Sequence, residues 1–504
     1  MASVVASATS LGFDDVVISV ECDKSKGLPS ITIVGLGNKA IEESKERIRS
    51  AISNSKLELP RQRITLNLAP ADMQKDGSSF DLPMALAILL ESEQIPQTSL
   101  DKTLVIGELA LDGSIRQVKG VLGAVQSAKN NGFERVILPK NSYPQASLIA
   151  DVELLPFGSL KEIYNYFSGL IDKPTFINNT KLKEKRQSTN ELSQIIGQDQ
   201  AKRALEVAAA GNHNVLFTGP PGTGKTMLAK ALHAILPDPV DTEIVEITKL
   251  ASLSGEDTAS VIEQRPFRSP HHTTSFVAMV GGSSNPKPGE ISLSHRGVLF
   301  LDELPEFGRA TLEALRQPLE DKLVRISRAN RSVSFPADFM LVATQNPCPC
   351  GFYGDKEREC ICTPHQIMQY NKKISGPLLD RIDIVVQVNR VEHRKLLENS
   401  GNERSDGIIR ERILNARNIQ KNRFSSLSMT NTNMTNRDIK KFVKISDEAK
   451  GLLISAGQSL HLSPRACMRT IKVAQTIADL DGSEDVVGTA HIAEALQYRQ
   501  RQEL

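Results

Sequence analysis

The sequence predicts a protein of several α/β domains, and three observations carry this prediction. The chain has 504 residues, enough for about three domains of average size. In the first 171 residues, β-rich runs such as SITIVGL (30–36) alternate with helical stretches such as Asn38 to Ser53. A polar segment without hydrophobic periodicity separates this part from a second α/β region, which a helical region follows. We therefore predict an N-terminal domain at 1–171, a linker at 172–190, a central domain at 191–391 and a helical domain at 392–504.

Composition and charge narrow the class of protein. Hydrophobic residues make up 40% of the chain and charged residues 24%, as in ordinary soluble proteins. The longest apolar run, Met84 to Leu90, is far shorter than the ~18 residues of a membrane span. The N-terminus lacks the basic and apolar segments of a secretory signal, so we expect a cytoplasmic protein without a membrane partner. The net charge is only +2, so a nucleic acid would have to be held by local clusters.

A phosphate-binding loop decides the type of chemistry. The pattern G-x-x-x-x-G-K-T follows the strand-like NVLF and opens a helix with apolar residues at helical spacing. The glycines allow backbone N–H groups to surround a phosphate, and the helix N-terminus adds its positive dipole. Lys225 would reach the β- and γ-phosphates of ATP, and Thr226 would ligate Mg²⁺. The predicted nucleotide-binding residues of the loop are Gly219, Pro220, Pro221, Gly222, Thr223, Gly224, Lys225 and Thr226.

Two carboxylates supply the second part of an ATP site. In GVLFLDEL, an apolar run from Val298 to Leu301 precedes Asp302 and Glu303. A buried parallel strand ending beside the phosphate-binding loop would put Asp302 near Mg²⁺ and leave Glu303 to polarise the attacking water. Such a pair is often only a solvated strand end, but downstream of a phosphate-binding loop it indicates ATP hydrolysis.

Several longer stretches resemble a known family. They are GLPSITIVGLGNKAIEESKERIRSAI, RITLNLAPADMQKDGSSFDLPMAL, FRSPHHTTSFVAMVGGSSNPKPGEISLSHRGVLFLDELPEF, NPCPCGFYGD and SGPLLDRIDI, and together they extend over nearly the whole chain. With them the sequence resembles the magnesium-chelatase-like AAA+ ATPases and, within that group, the YifB/ComM family. The resemblance implies an AAA+ P-loop core with a parallel sheet, a helical C-terminal lid, and a homohexameric ring with ATP between the subunits.

The same resemblance assigns three further residues to the ATP site. By motif match, Asn346 would be the sensor that orients the lytic water, Arg381 the finger that reaches a neighbour's γ-phosphate, and Arg465 the lid sensor. The local sequence supports the last assignment. Ser463 is a good N-cap and Pro464 suits the first helical position, so Arg465 would lie in the first turn, where the helix dipole disfavours a cation. A phosphate partner would explain an arginine there, and an ordinary surface arginine is the alternative.

The N-terminal domain resembles the Lon-protease catalytic fold, a ribosomal-S5-like α/β fold. KDGSSFD matches the segment that carries the nucleophile of that family and puts Ser79 in the nucleophile position. The lysine that would serve as the base falls on Leu122, and Lys119, one turn earlier, would point elsewhere if the helix has already started. Because a serine without its base is a weak nucleophile, we expect a non-proteolytic scaffold.

Two segments are candidates for contact with DNA. LVRISRANRSVSF is typical of a β-hairpin with its turn at Ala329–Asn330. A loop-rich insertion between Glu263 and Gly289 is longer than most connections in a compact domain. It holds Arg265, Arg268, His271, His272 and Lys287. In related AAA+ rings both elements project into the central channel, where cations would hold a phosphate backbone without sequence preference. The predicted DNA contacts are Lys287, Arg325, Arg328 and Arg331; a solvated hairpin is the alternative, and the histidines are interpreted as loop residues.

The stretch NPCPCGFYGDKERECIC holds four of the six cysteines, Cys348, Cys350, Cys360 and Cys362. Four thiolates are a natural tetrahedral set for Zn²⁺, although the C-x-C spacing is unusual and His365 could substitute for one ligand. Reduced thiols without a metal and disulfides are the alternatives, and a redox pair is disfavoured because C-x-x-C is absent. Zinc here would brace an insertion and take no catalytic part.

The leading functional hypothesis, implied by the family resemblance, is a hexameric ATP-driven DNA motor. It would hold single- and double-stranded DNA in its central channel and promote branch migration of recombination intermediates in natural transformation. The alternative is a chelatase-like ATPase that remodels a protein partner. An ATP-dependent protease is disfavoured by Leu122.

Overall fold

The computed structural model describes residues 2–35, 39–71, 75, 78–174, 191–255, 260–282, 286–328, 331–355, 357–391, 406–426, 428–482 and 486–499. Most of the predicted linker, 175–190, and the start of the predicted C-terminal domain, 392–405, lie outside these residues. Over the described ranges, no helix combines the length and the apolar character that crossing a bilayer would require.

The N-terminal region is built on a mixed sheet. Its strands are β1 (Ser3–Leu11), β2 (Asp14–Ser25), β3 (Ser30–Val34), β4 (Arg63–Ala69), β5 (Thr103–Val105), β6 (Glu108–Leu109), β7 (Ile115–Arg116), β8 (Arg135–Pro139) and β9 (Glu153–Phe157). Its helices are α1 (Lys39–Asn54), α2 (Asp81–Glu91), α3 (Val121–Asn130), α4 (Tyr143–Ala146) and α5 (Leu160–Phe167). Seven of the strands form one sheet in the order β3-β4-β2-β1-β5-β8-β9. The α2 helix is apolar on every side and is buried from Asp81 to Leu90, since such a helix must be covered all round.

The central region contains a parallel sheet and two hairpins. Its strands are β10 (Val215–Thr218), β11 (Phe267–Arg268), β12 (Gly281–Gly282), β13 (Lys287–Pro288), β14 (Val298–Leu301), β15 (Leu323–Arg328), β16 (Arg331–Pro336), β17 (Met340–Gln345) and β18 (Ile384–Gln387). Its helices are α6 (Asp199–Gly211), α7 (Lys225–Ile235), α8 (Asp241–Ser254), α9 (Phe276–Val280), α10 (Glu290–Leu293), α11 (Arg309–Ala314), α12 (Arg316–Asp321), α13 (Pro364–Asn371) and α14 (Gly376–Leu379). The parallel sheet has the order β11-β14-β17-β10-β18.

The register of this sheet positions the site. β14 and β17 are buried along their whole length, as strands of a parallel sheet covered on both faces must be. Parallel pairing sets Thr218 beside Gln345 and Leu301 beside Ala343, so β10, β14 and β17 end at the same edge. The segments that follow these three strands are therefore neighbours in space.

The C-terminal region, as far as it is described, is helical. Its helices are α15 (Asp406–Phe424), α16 (Asn436–Phe442), α17 (Asp447–Ser459), α18 (Pro464–Leu480) and α19 (Thr489–Gln497). Val473 and Ile477 of α18 share one apolar core with Ala208 of α6 and Leu228 of α7. The predicted mixed α/β architecture with a parallel central sheet is confirmed. The Lon-like nature of the first domain and the lid role of the last one stay predictions.

Candidate nucleotide-binding site

The loop between β10 and α7 has the backbone that its glycines predict. Gly222 and Gly224 have φ angles of +78° and +85°, in the left-handed region that glycine enters without strain. At Gly219 a Cβ would lie 2.1 Å from the carbonyl oxygen of Val388, so only glycine fits there. The loop leads directly into α7, whose first residue is Lys225.

Lys225 joins the loop to the end of β17. Its Nζ donates to the carbonyl oxygens of Gly219 at 2.6 Å and Pro220 at 2.9 Å, and to Asn346 Oδ1 at 3.1 Å. Burial lowers the pKa of Lys225, whereas the carboxylates of Asp302 and Glu303 act in the opposite direction. The predicted lysine, sensor asparagine and carboxylate pair therefore meet at one edge of the sheet.

A threonine binds the Asp302 carboxylate and the backbone of Glu303. The Thr344 hydroxyl donates to Asp302 Oδ1 at 2.6 Å, and its oxygen accepts from the backbone N–H of Glu303 at 2.9 Å. Glu303 has a φ of +55°, uncommon for a residue other than glycine, and such strain clusters at functional sites. Sequence reasoning missed Thr344. The signal for it was a hydroxyl side chain near the end of the otherwise apolar strand MLVATQ.

Arg381 is held within its own chain. Its side chain is 10% exposed, donates to the carbonyl oxygen of Pro377 at 2.7 Å, and forms an ion pair with Glu320. Its backbone carbonyl accepts from Arg469 Nη1 at 2.9 Å, and the same nitrogen donates to Asp383 at 2.6 Å. The peptide that carries Arg381 is thus tied to α18, one turn beyond Arg465.

Arg465 lies in the first turn of α18, as the local sequence predicts. Ser463 caps α18 by accepting from the backbone N–H of Ala466 at 3.1 Å, and Pro464 is the first helical residue. Arg465 is exposed in the first turn. The helix start is confirmed. The structure does not bring Arg465 or Arg381 against Lys225 within this one chain, and their roles at a nucleotide stay predictions.

The four clustered cysteines converge. Their sulfur atoms lie within 4.8 Å of one another. Cys348 Sγ is 3.3 Å from Cys350 Sγ and 3.7 Å from Cys360 Sγ, and all six cysteines of the chain are free thiols. Backbone N–H groups, that of Phe352 first, lower the pKa of Cys350 to about 6. His365 is exposed and its Nε2 lies 3.4 Å from Gln369 Nε2.

The cysteine cluster lies against the phosphate-binding loop. Gly351, between the first two cysteines and the second pair, has a φ of +86°. A Cβ at Gly351 would lie 2.7 Å from Pro221 Cδ and 4.0 Å from Asn346 Cγ. The loop that the cysteines fold therefore contacts both the predicted nucleotide-binding loop and the predicted sensor.

Comparison with known proteins assigns the family. Residues 191–396 match the family described as magnesium chelatase, subunit ChlI, residues 20–142 match subunit ChlI of Mg-chelatase, and residues 403–499 match the C-terminal part of subunit ChlI. Competence protein ComM of Haemophilus influenzae is 41% identical over 501 residues, covering 99% of this chain and 97% of its own. The YifB protein of Escherichia coli is also 41% identical, with the same coverage. The chain belongs to the YifB/ComM family of magnesium-chelatase-like AAA+ proteins.

A more distant relative extends the comparison beyond the YifB/ComM family. The DNA replication licensing factor mcm-6 of Caenorhabditis briggsae is 26% identical over 262 residues, which cover 50% of this chain and 27% of that protein. Membership of a magnesium-chelatase-like AAA+ family implies the use of a nucleotide and Mg²⁺.

The predicted hairpin of this YifB/ComM chain is confirmed. β15 and β16 pair antiparallel, with Leu323 opposite Pro336 at one end and Arg328 opposite Arg331 at the other. The side chains of these two arginines and the turn, Ala329–Asn330, lie outside the described part of the chain. Arg325, on the described part of β15, is exposed.

Two arginines of the insertion are engaged elsewhere. Arg268 binds Glu290 through Nε at 2.7 Å and Nη2 at 2.9 Å. Arg265 donates to the carbonyl oxygen of Arg296 at 2.6 Å and to Glu243 at 2.7 Å. Both therefore stabilise the base of the insertion. Lys287, by contrast, is exposed in the β12–β13 hairpin, as are Phe276 and Val277 of α9.

The N-terminal region of this family member shows Leu122 in an apolar setting. Leu122 is 1% exposed and packs with Val121 and Val125. The α3 helix begins only at Val121, so Lys119 precedes it, and the Lys119 ammonium lies against Gly255 at the end of α8. Ser79 is half-buried, and its carbonyl oxygen accepts from the backbone N–H of Gly107. The non-proteolytic interpretation stays a prediction.

Proposed function

We propose that this YifB/ComM protein is an ATP-hydrolysing DNA motor that works as a homohexamer on recombination intermediates in natural transformation. The observation that carries the ATPase part is the contact of Lys225 with Asn346 beside Asp302 and Glu303. The name of the Haemophilus influenzae relative, competence protein, supports the role in transformation. The likeness of half the chain to a DNA replication licensing factor supports the role on DNA.

Each residue of the site has a distinct part in ATP hydrolysis. The Lys225 ammonium would exchange the loop carbonyls for the β- and γ-phosphates, and the backbone of the loop would surround them. The exposed Thr226 hydroxyl and Asp302 carboxylate are the hard oxygen donors that Mg²⁺ prefers, and the bound ion would neutralise phosphate charge. Glu303 would polarise the attacking water, and the Asn346 amide would orient it.

Two arginines would complete the site in the ring. The exposed Arg465 would bind the nucleotide from the lid of one subunit. Arg381 would reach the γ-phosphate of a neighbour, which requires it to leave Glu320. An arginine that stabilises transferring phosphate from another subunit makes hydrolysis depend on assembly.

The DNA contacts would be electrostatic. Arg325, Arg328 and Arg331 on the β15–β16 hairpin and Lys287 on the β12–β13 hairpin would bind phosphates of single- or double-stranded DNA in the channel. The two hairpins are neighbours. Gly281 of β12 packs so closely on Ile326 of β15 that a Cβ added at Gly281 would lie 3.2 Å from Ile326 Cδ1. These contacts would give affinity without base specificity.

The cysteine cluster would bind structural Zn²⁺. Tetrahedral coordination with Zn–S bonds of ~2.3 Å sets the sulfurs about 3.8 Å apart. The distances of 3.3 Å, 3.7 Å and 3.6 Å among Cys348, Cys350 and Cys360 are close to that spacing. The ion would hold the loop that packs on Pro221 and have no catalytic part.

The proposal is tested by the ATPase rate of the purified full chain with and without single-stranded DNA. We expect turnover that DNA stimulates and that Lys225→Ala abolishes in both conditions. Turnover that ignores DNA would contradict the DNA motor. It would favour the second candidate, a chelatase-like ATPase that remodels a protein partner, which the matches to magnesium chelatase subunit ChlI support.

A further inference from the structure

The turn between β1 and β2, residues 11–13, lies against the β15–β16 hairpin. Gly12 at its centre has a φ of +67°, and a Cβ there would lie 3.0 Å from Val333 Cβ and 3.4 Å from the carbonyl oxygen of Ser334. The two residues that flank Gly12 join an apolar cluster shared by the turn, α8 and β16. Its members include Leu11, Phe13, Leu250, Val333 and Phe335. The N-terminal region therefore covers one face of the hairpin.

An ion pair next to this cluster fixes the start of β2 to α8. Asp15 pairs with Lys249, and the two side chains are only 5% and 9% exposed. Asp15 also accepts from Ser10 Oγ at 2.7 Å, and the Lys249 ammonium lies 4.6 Å from the centre of the Phe13 ring. Breaking a buried pair is costly because it leaves one charge without its partner, so this contact favours a single orientation.

A second contact keeps the N-terminal region on α8. The backbone N–H of Gly120, just before α3, donates to Ser252 Oγ at 3.2 Å. The side-chain amide of Gln145 donates to the carbonyl oxygen of Ser260, beyond the end of α8, at 2.9 Å. The turn is thus one of several attachments to α8 and the segment that follows it, and it also touches the hairpin.

The hairpin is continuous with the candidate ATP site. β16 ends at Pro336, and the buried residues Ala337 and Phe339 lead into β17. β17 carries Thr344, which holds Asp302, and is followed by Asn346, which contacts Lys225. A change in the angle of the hairpin is therefore applied to the strand that ends at the site.

We propose that the β1–β2 turn positions the hairpin, so that DNA bound by the hairpin accelerates ATP hydrolysis only while the turn holds it in place. The N-terminal region then acts as a support for the DNA-responsive element. Leu11, Gly12 and Phe13 are positioning residues, since they lie apart from Lys225 and from the carboxylates. The part that concerns DNA rests on the proposed function, whereas the support of the hairpin does not.

Phe13→Ala in the full chain tests the support directly. We expect amide hydrogen exchange of residues 331–335 to become at least about ten-fold faster, while β10 and β17 keep their slow exchange. Lys249→Met, on the other side of the contact, should act in the same direction. The matched control is Phe167→Ala in α5, whose ring packs on Tyr166 at 5.1 Å and should leave the hairpin unchanged. If Phe13→Ala or Lys249→Met also accelerates amide exchange in β10 and β17, the milder variant Leu11→Val is used in its place.

The enzymatic readout tests the coupling. Phe13→Ala should keep basal ATP turnover and the salt dependence of DNA binding, and its stimulation by DNA should fall at least about five-fold. If amide exchange in β16 becomes faster but DNA still stimulates ATP turnover fully, the coupling between the hairpin and hydrolysis is overturned. If amide exchange in β16 is unchanged in both Phe13→Ala and Lys249→Met, the turn does not support the hairpin, whatever the response to DNA. A wild-type chain that DNA does not stimulate would contradict the proposed function, and the exchange result would still decide the support.

Discussion

Arg381 and Glu320 form an ion pair within one chain, and this pair draws the arginine away from solvent. The Arg381 side chain is 10% exposed, whereas that of Glu320 is 54% exposed. An arginine that serves a neighbouring subunit must exchange this carboxylate for phosphate oxygens. If Arg381 serves a neighbour as proposed, the pair with Glu320 would be its resting position.

Glu320→Gln should release Arg381 and raise ATP turnover of the assembled protein. The pair is partly exposed and worth about 0.2–1 kcal/mol, so we expect an increase of up to about five-fold. Steady-state ATPase measured against protein concentration checks this, with Glu313→Gln of the Glu313–Arg316 pair as control. Arg381→Ala should lose turnover. A loss of the same size in Glu320→Gln would mean that Glu320 supports the arginine instead of restraining it.

Lys225→Ala and Glu303→Gln should abolish ATP turnover while the fold stays intact. Loss of a group that polarises water costs on the order of 10²–10⁴-fold in rate, and Glu303→Gln should still bind ATP. Phosphate release and binding of a fluorescent ATP analogue separate the two effects. Glu306→Gln, which removes a carboxylate paired with Lys373 nearby, is the control. Hydrolysis near the wild-type rate in either variant would overturn the assignment of that residue to the ATP site.

Thr344→Val should impair the site without removing a carboxylate. It leaves Asp302 and the Glu303 N–H without the hydroxyl that joins them, so the concentration of Mg²⁺ for half-maximal turnover should rise by roughly ten-fold. Thr344→Ser keeps the hydroxyl and should restore the wild-type value. Equal Mg²⁺ dependence in Thr344→Val and the wild type would show that this hydroxyl does not position Asp302.

The cysteine cluster should retain zinc. Elemental analysis of protein washed with chelator should find about one Zn per chain, because closed structural sites release the metal slowly. Cys350→Ser and Cys362→Ser should lose the metal, and Cys467→Ser, outside the cluster, should keep it. Metal-free protein of normal stability would favour the plain-thiol alternative.

Arg328→Ala with Arg331→Ala should uncouple ATP hydrolysis from DNA. Each lost phosphate contact should lower the slope of log affinity against log salt by roughly one, on all DNA sequences alike. Basal hydrolysis should survive, since the two arginines lie apart from Lys225 and Asp302 in the sequence. The exposed Arg437 of α16 offers a control substitution to alanine. Unchanged salt dependence together with DNA unwinding would refute the hairpin as the contact.

The sequence was sufficient for features that depend on neighbouring residues. The phosphate-binding loop, the hairpin and the Ser463 cap all have local signals, and the structure contains each of them. Contacts between distant residues had no such signal. Arg381 and Glu320 are 61 residues apart, and nothing local in the sequence indicated that Arg268 binds Glu290. Thr344 is intermediate between local features and distant contacts. Its hydroxyl could be recognised within the strand sequence, but its partner Asp302 could not.

The length of the β15–β16 hairpin would give it mechanical leverage. Each strand has six residues, so at ~3.3 Å per residue the pair is about 20 Å long and about 4.8 Å wide. If the pair pivots as a rigid arm, a displacement of about 1 Å of one strand at the base moves the tip by about 4 Å. That travel is comparable with the ~3.4 Å rise of one nucleotide along a DNA strand. A displacement smaller than one nucleotide at the base would then become, at the tip, a movement of about one base.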